Sequence, residues 1–272
     1  MQKQIRFGLI LTTAFLLIFI AACKKETSAE DQAKVDTAKQ ALQSQQLITS
    51  SFNIAMRGAE KADGLIKADD RTDTCGVVTV VPVDPFVFPK VITVDFGAGC
   101  TDGDGKFKTG KFILTVGAIW EPNATISIVY DNYTENGVKL EGSFTFKNLS
   151  TPNAGIFSIV AQNIKLTDAN NYTLSYNAVQ TYTQVSGHAS WWDWSDDVYN
   201  VTGSINSVLT NGETVDWTIQ NPLVKANNCY WVSAGTGVLS INGLDYLVDY
   251  GSGNCDNQAT VTVNGQVYPI TL

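Results

Sequence analysis

Side chains suited to chemistry are densest in HASWWDWSDDVYN, residues 188–200. Trp191, Trp192 and Trp194 stand beside Asp193, Asp196, Asp197 and Tyr199, and indole rings next to hydrogen-bonding carboxylates grip sugar rings or peptides without making or breaking a bond. Neighbours in a strand point to opposite faces, so at least one of Trp191 and Trp192 is expected in the core. Covalent chemistry has less support. His188 is the only histidine, and a Ser-His-Asp relay would have to use it, yet no Gly-x-Ser-x-Gly turn presents a nucleophile. Asp102 and Asp104 in CTDGDGKFKTG could share a calcium ion, but the other ligands of an EF-hand loop are missing, and Asp-Gly-Asp-Gly is the composition of a tight turn. No spacing in sequence reports a pair of glycosidase carboxylates. The sequence therefore names no catalytic residue, no metal and no cofactor.

Cysteine offers a different chemistry. VDFGAGC ends at Cys100 and VDYGSGNC at Cys255, and each phrase lies at the end of a cysteine-to-cysteine interval of nearly the same length, Cys75 to Cys100 and Cys229 to Cys255. After each first cysteine comes a strand-like run, a turn region and a returning strand that ends in Val-Asp-aromatic-Gly-x-Gly. A hairpin brings its two ends side by side, within the Cα separation that a disulfide needs. The spacing thus predicts two stapled hairpins, Cys75–Cys100 and Cys229–Cys255, with Gly97, Gly99, Gly251 and Gly253 letting the backbone bulge before each bond. Four cysteines as a tetrathiolate metal site would lack any Cys-x-x-Cys pair.

The fifth cysteine, Cys23, follows a different signal. Lys3 and Arg6 precede the apolar run FGLILTTAFLLIFIAA, too short and too sharply ended for a membrane span, so residues 1–22 read as a signal peptide. The run closes on IAAC, which resembles the lipobox of bacterial lipoproteins, with Ile20 where leucine is favoured. That resemblance implies cleavage before Cys23 and a thioether-linked diacylglycerol on it, and the polar KKETS that follows makes residues 23–28 a short lipidated tether. Acyl chains contribute about 0.8 kcal/mol per buried methylene, enough to hold the chain on a bilayer without a spanning helix. Removing the leader takes away Lys3 and Arg6 and leaves the formal charge two units more negative than −8. Such an acidic chain is not expected to bind nucleic acid.

The elements that must position these residues change character along the chain. Residues 29–70 are rich in Ala, Gln, Lys and Glu, and Ile48, Phe52, Ala55 and Ala59 recur at helical spacing. The segment reads as one long helix, or two broken near Gly58 or Gly64, either packed against the following domain or serving as a partly disordered stalk. Residues 71–272 form a β-domain. Val, Ile, Thr, Tyr and Phe dominate there, and Asn136-Gly137, Asn211-Gly212, Asn242-Gly243 and Asn264-Gly265 each suit a type I′ hairpin turn. Strands are expected at 110–120, 198–209, 214–220 and 229–232 among others. The fold class is mainly β: an antiparallel meander of a dozen or more strands forming a two-sheet sandwich, a curved roll or a barrel, with an N-terminal helical segment.

Four stretches together, ITVDFGAGCTDGDGKFKTGKFILTV, WDWSDDVYNVTGS, CYWVSAG and LVDYGSGNCDNQATVTVNGQVYPITL, resemble a family of uncharacterised Bacteroidota lipoproteins. The resemblance covers roughly residues 75–272 and departs at Lys106, where arginine is expected. It implies a location, an outer-membrane lipoprotein of the cell envelope, and a β fold, and it supplies no catalytic residue. The expectation is a lipid-anchored protein that binds or scaffolds a glycan or an envelope protein; a secreted hydrolase of glycans or peptides is the alternative.

Overall fold

The computed structural model describes residues 28–62, 75–101, 105–152, 154–190 and 194–272. One helix, α1 (Ala29–Ala62), precedes thirteen strands: β1 (Val77–Val81), β2 (Lys90–Thr101), β3 (Phe107–Val116), β4 (Thr125–Glu135), β5 (Val138–Asn148), β6 (Ile156–Thr167), β7 (Thr173–Ser186), β8 (Val198–Leu209), β9 (Thr214–Ala226), β10 (Ala234–Ile241), β11 (Leu244–Ser252), β12 (Gln258–Val263) and β13 (Gln266–Thr271). Each strand pairs antiparallel with its neighbours in sequence, in a single sheet ordered β1 to β13. The sheet is neither split into a sandwich nor closed into a barrel, so of the expected architectures only the curved roll describes it.

The curvature has a local cause. Adjacent strands twist by roughly 20–25° on average, and an open sheet of more than about ten strands must curl. Bulges sharpen this at many of the pairings, for example between Thr109 and Lys111 against β4 and between Val201 and Ser204 against β9. Gly110, at φ 69°, sits in the first of these, and a Cβ there would collide with the carbonyl of Asn132, itself at φ 50°.

What the curled sheet encloses is α1. The helix touches β2 to β5, β7 to β9, β12 and β13, and from Ser44 to Met56 none of its residues is exposed. Its buried side chains are mostly small or polar: Ala38, Ala41, Ser44, Gln45, Thr49, Ser51 and Ala55. The sheet meets them with aromatics. Phe52 stacks on Tyr182 at 4.2 Å and meets Phe157 and Tyr199 edge-on. The Gln45 amide oxygen accepts from Trp217 Nε1 at 3.2 Å and from the Gln180 amide at 2.6 Å. Ser51 and Tyr130 share a hydroxyl bond of 3.1 Å. Burial pushes the phenols of Tyr130, Tyr182 and Tyr250 well up, so they stay neutral at any physiological pH. The helix therefore packs at the centre of the sheet's core. Gly58 lies within the helix without breaking it.

A clasp ties the helix to two connections of the sheet. The Tyr230 carbonyl accepts from the Gln46 amide at 3.2 Å, and Lys106 donates to the Tyr230 hydroxyl, its ammonium 3.6 Å from the ring centroid. Burial alone would lower the Lys106 pKa, but the Glu135 carboxylate, 3.1 Å away, and Tyr230 outweigh it and hold the ammonium above its usual range. The expected strand at 229–232 is this turn, and the true strand, β10, starts at Ala234.

The two cysteine pairs are Cys75–Cys100 and Cys229–Cys255, with Cα separations of 5.9 and 5.8 Å. The duplicated phrases share one geometry. Asp95 accepts from the Gly97 amide at 2.8 Å and Asp249 from the Gly251 amide at 2.7 Å, both glycines have positive φ, and Phe96 and Tyr250 are buried between them and the helix side of the sheet. They differ in how the first cysteine reaches its strand: only Gly76 separates Cys75 from β1, whereas Tyr230–Ser233 intervene between Cys229 and β10.

Because the helix fills the trough, removing its largest anchor leaves a cavity. Phe52→Ala is expected to cost about 3–5 kcal/mol, and Gln45→Ala, which strands the Trp217 N–H, about 1–3 kcal/mol; guanidinium unfolding of the oxidised chain with either substitution reads both.

Candidate functional site

In a meander the connections fall alternately on the two margins of the sheet, and here the margins differ. One carries connections of two to five residues, the tight turns among them. Asn136-Gly137, Asn242-Gly243 and Asn264-Gly265 are two-residue connections with positive φ at both positions, as a type I′ turn requires. Asn211-Gly212 lies in a four-residue connection in which only Gly212 has positive φ. The opposite margin carries the long connections 82–89, 117–124, 149–155, 187–197, 227–233 and 253–257.

These long connections are stitched to one another. Phe88 meets Trp120 edge-on at 5.0 Å. The Asn148 amide donates to the Ile119 carbonyl at 2.6 Å and the Asn123 N–H to the Asn148 carbonyl. The Gln184 N–H donates to Gly155, the Asn227 N–H to Asp197, and the Gly253 N–H to Ser233. The result is a continuous rim. Five of the chain's six tryptophans fall in it by sequence, the exception being the buried Trp217.

The acidic aromatic segment belongs to the 187–197 connection. Trp191, Trp192 and Asp193 lie outside the described residues, as does the side chain of Trp194, whose backbone opens a single 3-10 turn, Trp194–Asp196. Asp196 is exposed and accepts from the Ser190 hydroxyl. Asp197 and Tyr199 turn inward. Tyr199 is 1% exposed and Asp197 6%; the phenol donates to Asp197 Oδ2 at 2.8 Å, and the Gln184 amide donates to Oδ1. Both candidates are buried: period-two alternation from Val198 onward puts Tyr199 on the concave face, and Asp197 accepts from its hydroxyl. Asp197 and Tyr199 thus brace the loop, and Asp196 remains as its exposed carboxylate.

His188 Nδ1 lies 3.3 Å from Gln184 Oε1 while Ser190 is engaged with Asp196, so Ser190 and His188 bond to separate partners. Among the described residues no three His, Cys, Asp or Glu side chains converge on a point that could hold a metal ion. Asp102, Asp104 and Cys23 lie outside them.

Sequence reasoning missed the apolar part of the rim. The strand expected at 110–120 ends at Val116, which turns Ile119 inward and leaves Trp120 59% exposed. In PVDPFVFP, residues 82–89, Phe86 is 92% and Val83 86% exposed. The proline spacing was the available signal, since three prolines in eight residues with aromatics between them cannot continue a ladder and present their side chains in a loop. No family model, curated protein or solved structure matches this chain.

Tyr199→Phe is expected to cost about 1–2 kcal/mol by leaving Asp197 short of a donor, whereas Asp196→Ala stays within about 0.5 kcal/mol, as exposed substitutions do. Thermal melts of the two variants side by side distinguish brace from surface.

Proposed function

We propose that this is a lipid-anchored protein of the cell envelope, held at the outer membrane through Cys23, whose β-domain binds or scaffolds an extracytoplasmic partner, a glycan or another envelope protein, without chemistry of its own. The observation that carries the proposal is the position of α1. A curled sheet of this size would otherwise enclose a ligand-sized trough, and the helix occupies it with Leu42, Ile48 and Phe52 at 0–1% exposure. Recognition is thereby left to the outer surface, where the rim gathers exposed apolar and acidic side chains. The two cysteine pairs agree with an oxidising compartment, and the likeness of IAAC to a lipobox supports the anchor. Among the described residues no helix is long and apolar enough to cross a membrane.

Two measurements test this. Radiolabelled palmitate is expected to label the chain, with the label and the membrane association both lost in Cys23→Ser; an unlabelled wild-type chain removes the anchor. The purified protein is expected to be retained on a polysaccharide array or by one stoichiometric envelope partner while leaving a panel of glycosides, esters and peptides intact. Turnover of any panel member replaces this reading with that of a secreted hydrolase.

A further inference from the structure

The rim's two most exposed apolar connections are held in shape from below. Lys90 is buried, and its ammonium donates to the carbonyls of Pro82 and Asp84, the first at 3.2 Å. Asp84 Oδ1 accepts from the Phe86 N–H at 2.9 Å, and the Val87 N–H reaches the Asp84 carbonyl. Phe88 turns inward onto Trp120, joining 82–89 to 117–124. Val83, Phe86 and Val87 are left facing solvent on a loop with little freedom to collapse over them, and Trp120, also exposed, is joined to that loop through Phe88. Apolar groups fixed outward in a contiguous cluster mark a surface that another molecule covers, and a preorganised loop loses little entropy when it is covered.

Charge selects the occupant. The six connections of this margin contain no lysine or arginine, while Asp84, Glu121 and Asp196 stand exposed among them. An anionic bilayer surface is repelled by that arrangement. The position of the helix argues against a bilayer as well. Asp31, in the first turn of α1, accepts from the Asn264 amide at 2.7 Å and from Tyr268, on the margin of tight turns, whereas Phe52 packs on Phe146, Phe157 and Tyr199 at the rim ends of β5, β6 and β8. A chain tethered just before Ala29 is therefore held by the margin opposite the rim.

We propose that the cluster of Val83, Phe86, Val87 and Trp120, flanked by Asp84 and Glu121, docks an extended segment of a partner protein that alternates basic and apolar side chains. This rests on the binding reading above and names the partner's chemistry. The apolar residues of the segment cover Phe86 and Val83, and its cations lie over the Trp120 ring and against the carboxylates, where cation–π and ionic attraction add to one another.

The test uses the full-length protein in detergent and three ten-residue peptides, alternating Lys-Leu, Glu-Leu and Lys-Ser, titrated by calorimetry, with phosphatidylglycerol vesicles as a fourth titrant. The Lys-Leu peptide is expected to bind saturably, at least tenfold more tightly than either control peptide. Phe86→Ser and Glu121→Lys should each weaken it tenfold or more at an unchanged melting temperature, and rising salt should weaken it further. Absence of saturable Lys-Leu binding, equal binding of the Glu-Leu peptide, indifference to both substitutions, or Phe86-dependent binding of the vesicles instead each overturns the proposal. Retention on an array or by an envelope partner that persists in Phe86→Ser sinks this assignment and leaves the binding function standing, whereas catalytic turnover sinks the binding function itself.

Discussion

A sheet of thirteen strands must cover its apolar face, and among the described residues there is no second sheet to do it. The contact between the sheet's concave face and one helix is what every other feature presupposes. Burying aromatics such as Phe144, Phe146 and Trp217 at about 25 cal/mol per Å² drives the curl, and the curl closes to the radius of a helix because much of the helix's buried surface is alanine, serine and threonine, around the larger Leu42, Ile48 and Phe52. Small side chains let the strands come close, and the large rings stand on the sheet, where the wider circumference has room for them. Gly237 shows how tightly this is fitted, since a Cβ there would collide with the Trp217 indole.

Hydrogen bonds fix the helix within that envelope. An apolar helix in an apolar trough could slide by a turn at little cost, whereas Gln45 between Gln180 and Trp217, Thr49 beside Tyr182 and Ser51 against Tyr130 are satisfied in one register. Unpaired buried polar groups cost more than paired ones gain, so such contacts specify position more than they stabilise. The hydroxyls of Tyr176 and Tyr250 are buried without a partner and work against the fold by the same rule.

Much of this was legible in the sequence, for reasons that also explain what was not. The strands flanking Asn136-Gly137 and Asn264-Gly265, and both cysteine pairs, were readable because turn chemistry and loop closure are local. The burial of α1 was not. Its stripe of Ile48, Phe52, Ala55 and Ala59 is narrow because an apolar periodicity counts neither Ser44 nor Gln45, Thr49 or Ser51, all of which are buried. The inward turn of Tyr199 follows from strand alternation once the start of β8 is known, and Asp197 could not be placed without it. The exposure of Phe86 and Trp120 depends on where β1 and β3 end, a matter of a few residues that propensity does not resolve.

The order of contacts along the chain has a consequence for how the molecule is made. Each strand after the first pairs with the one just before it, so the sheet can grow by adding hairpins as the polypeptide emerges, each closing a short loop. The helix emerges first, yet Asp31 finds Asn264 only across 233 residues. As the chain folds α1 is thus a mandrel around which a ribbon is wound, and its N-terminal turn is fastened only when the last hairpin arrives. A chain truncated before that hairpin would keep its local pairings and still leave the spindle unsecured.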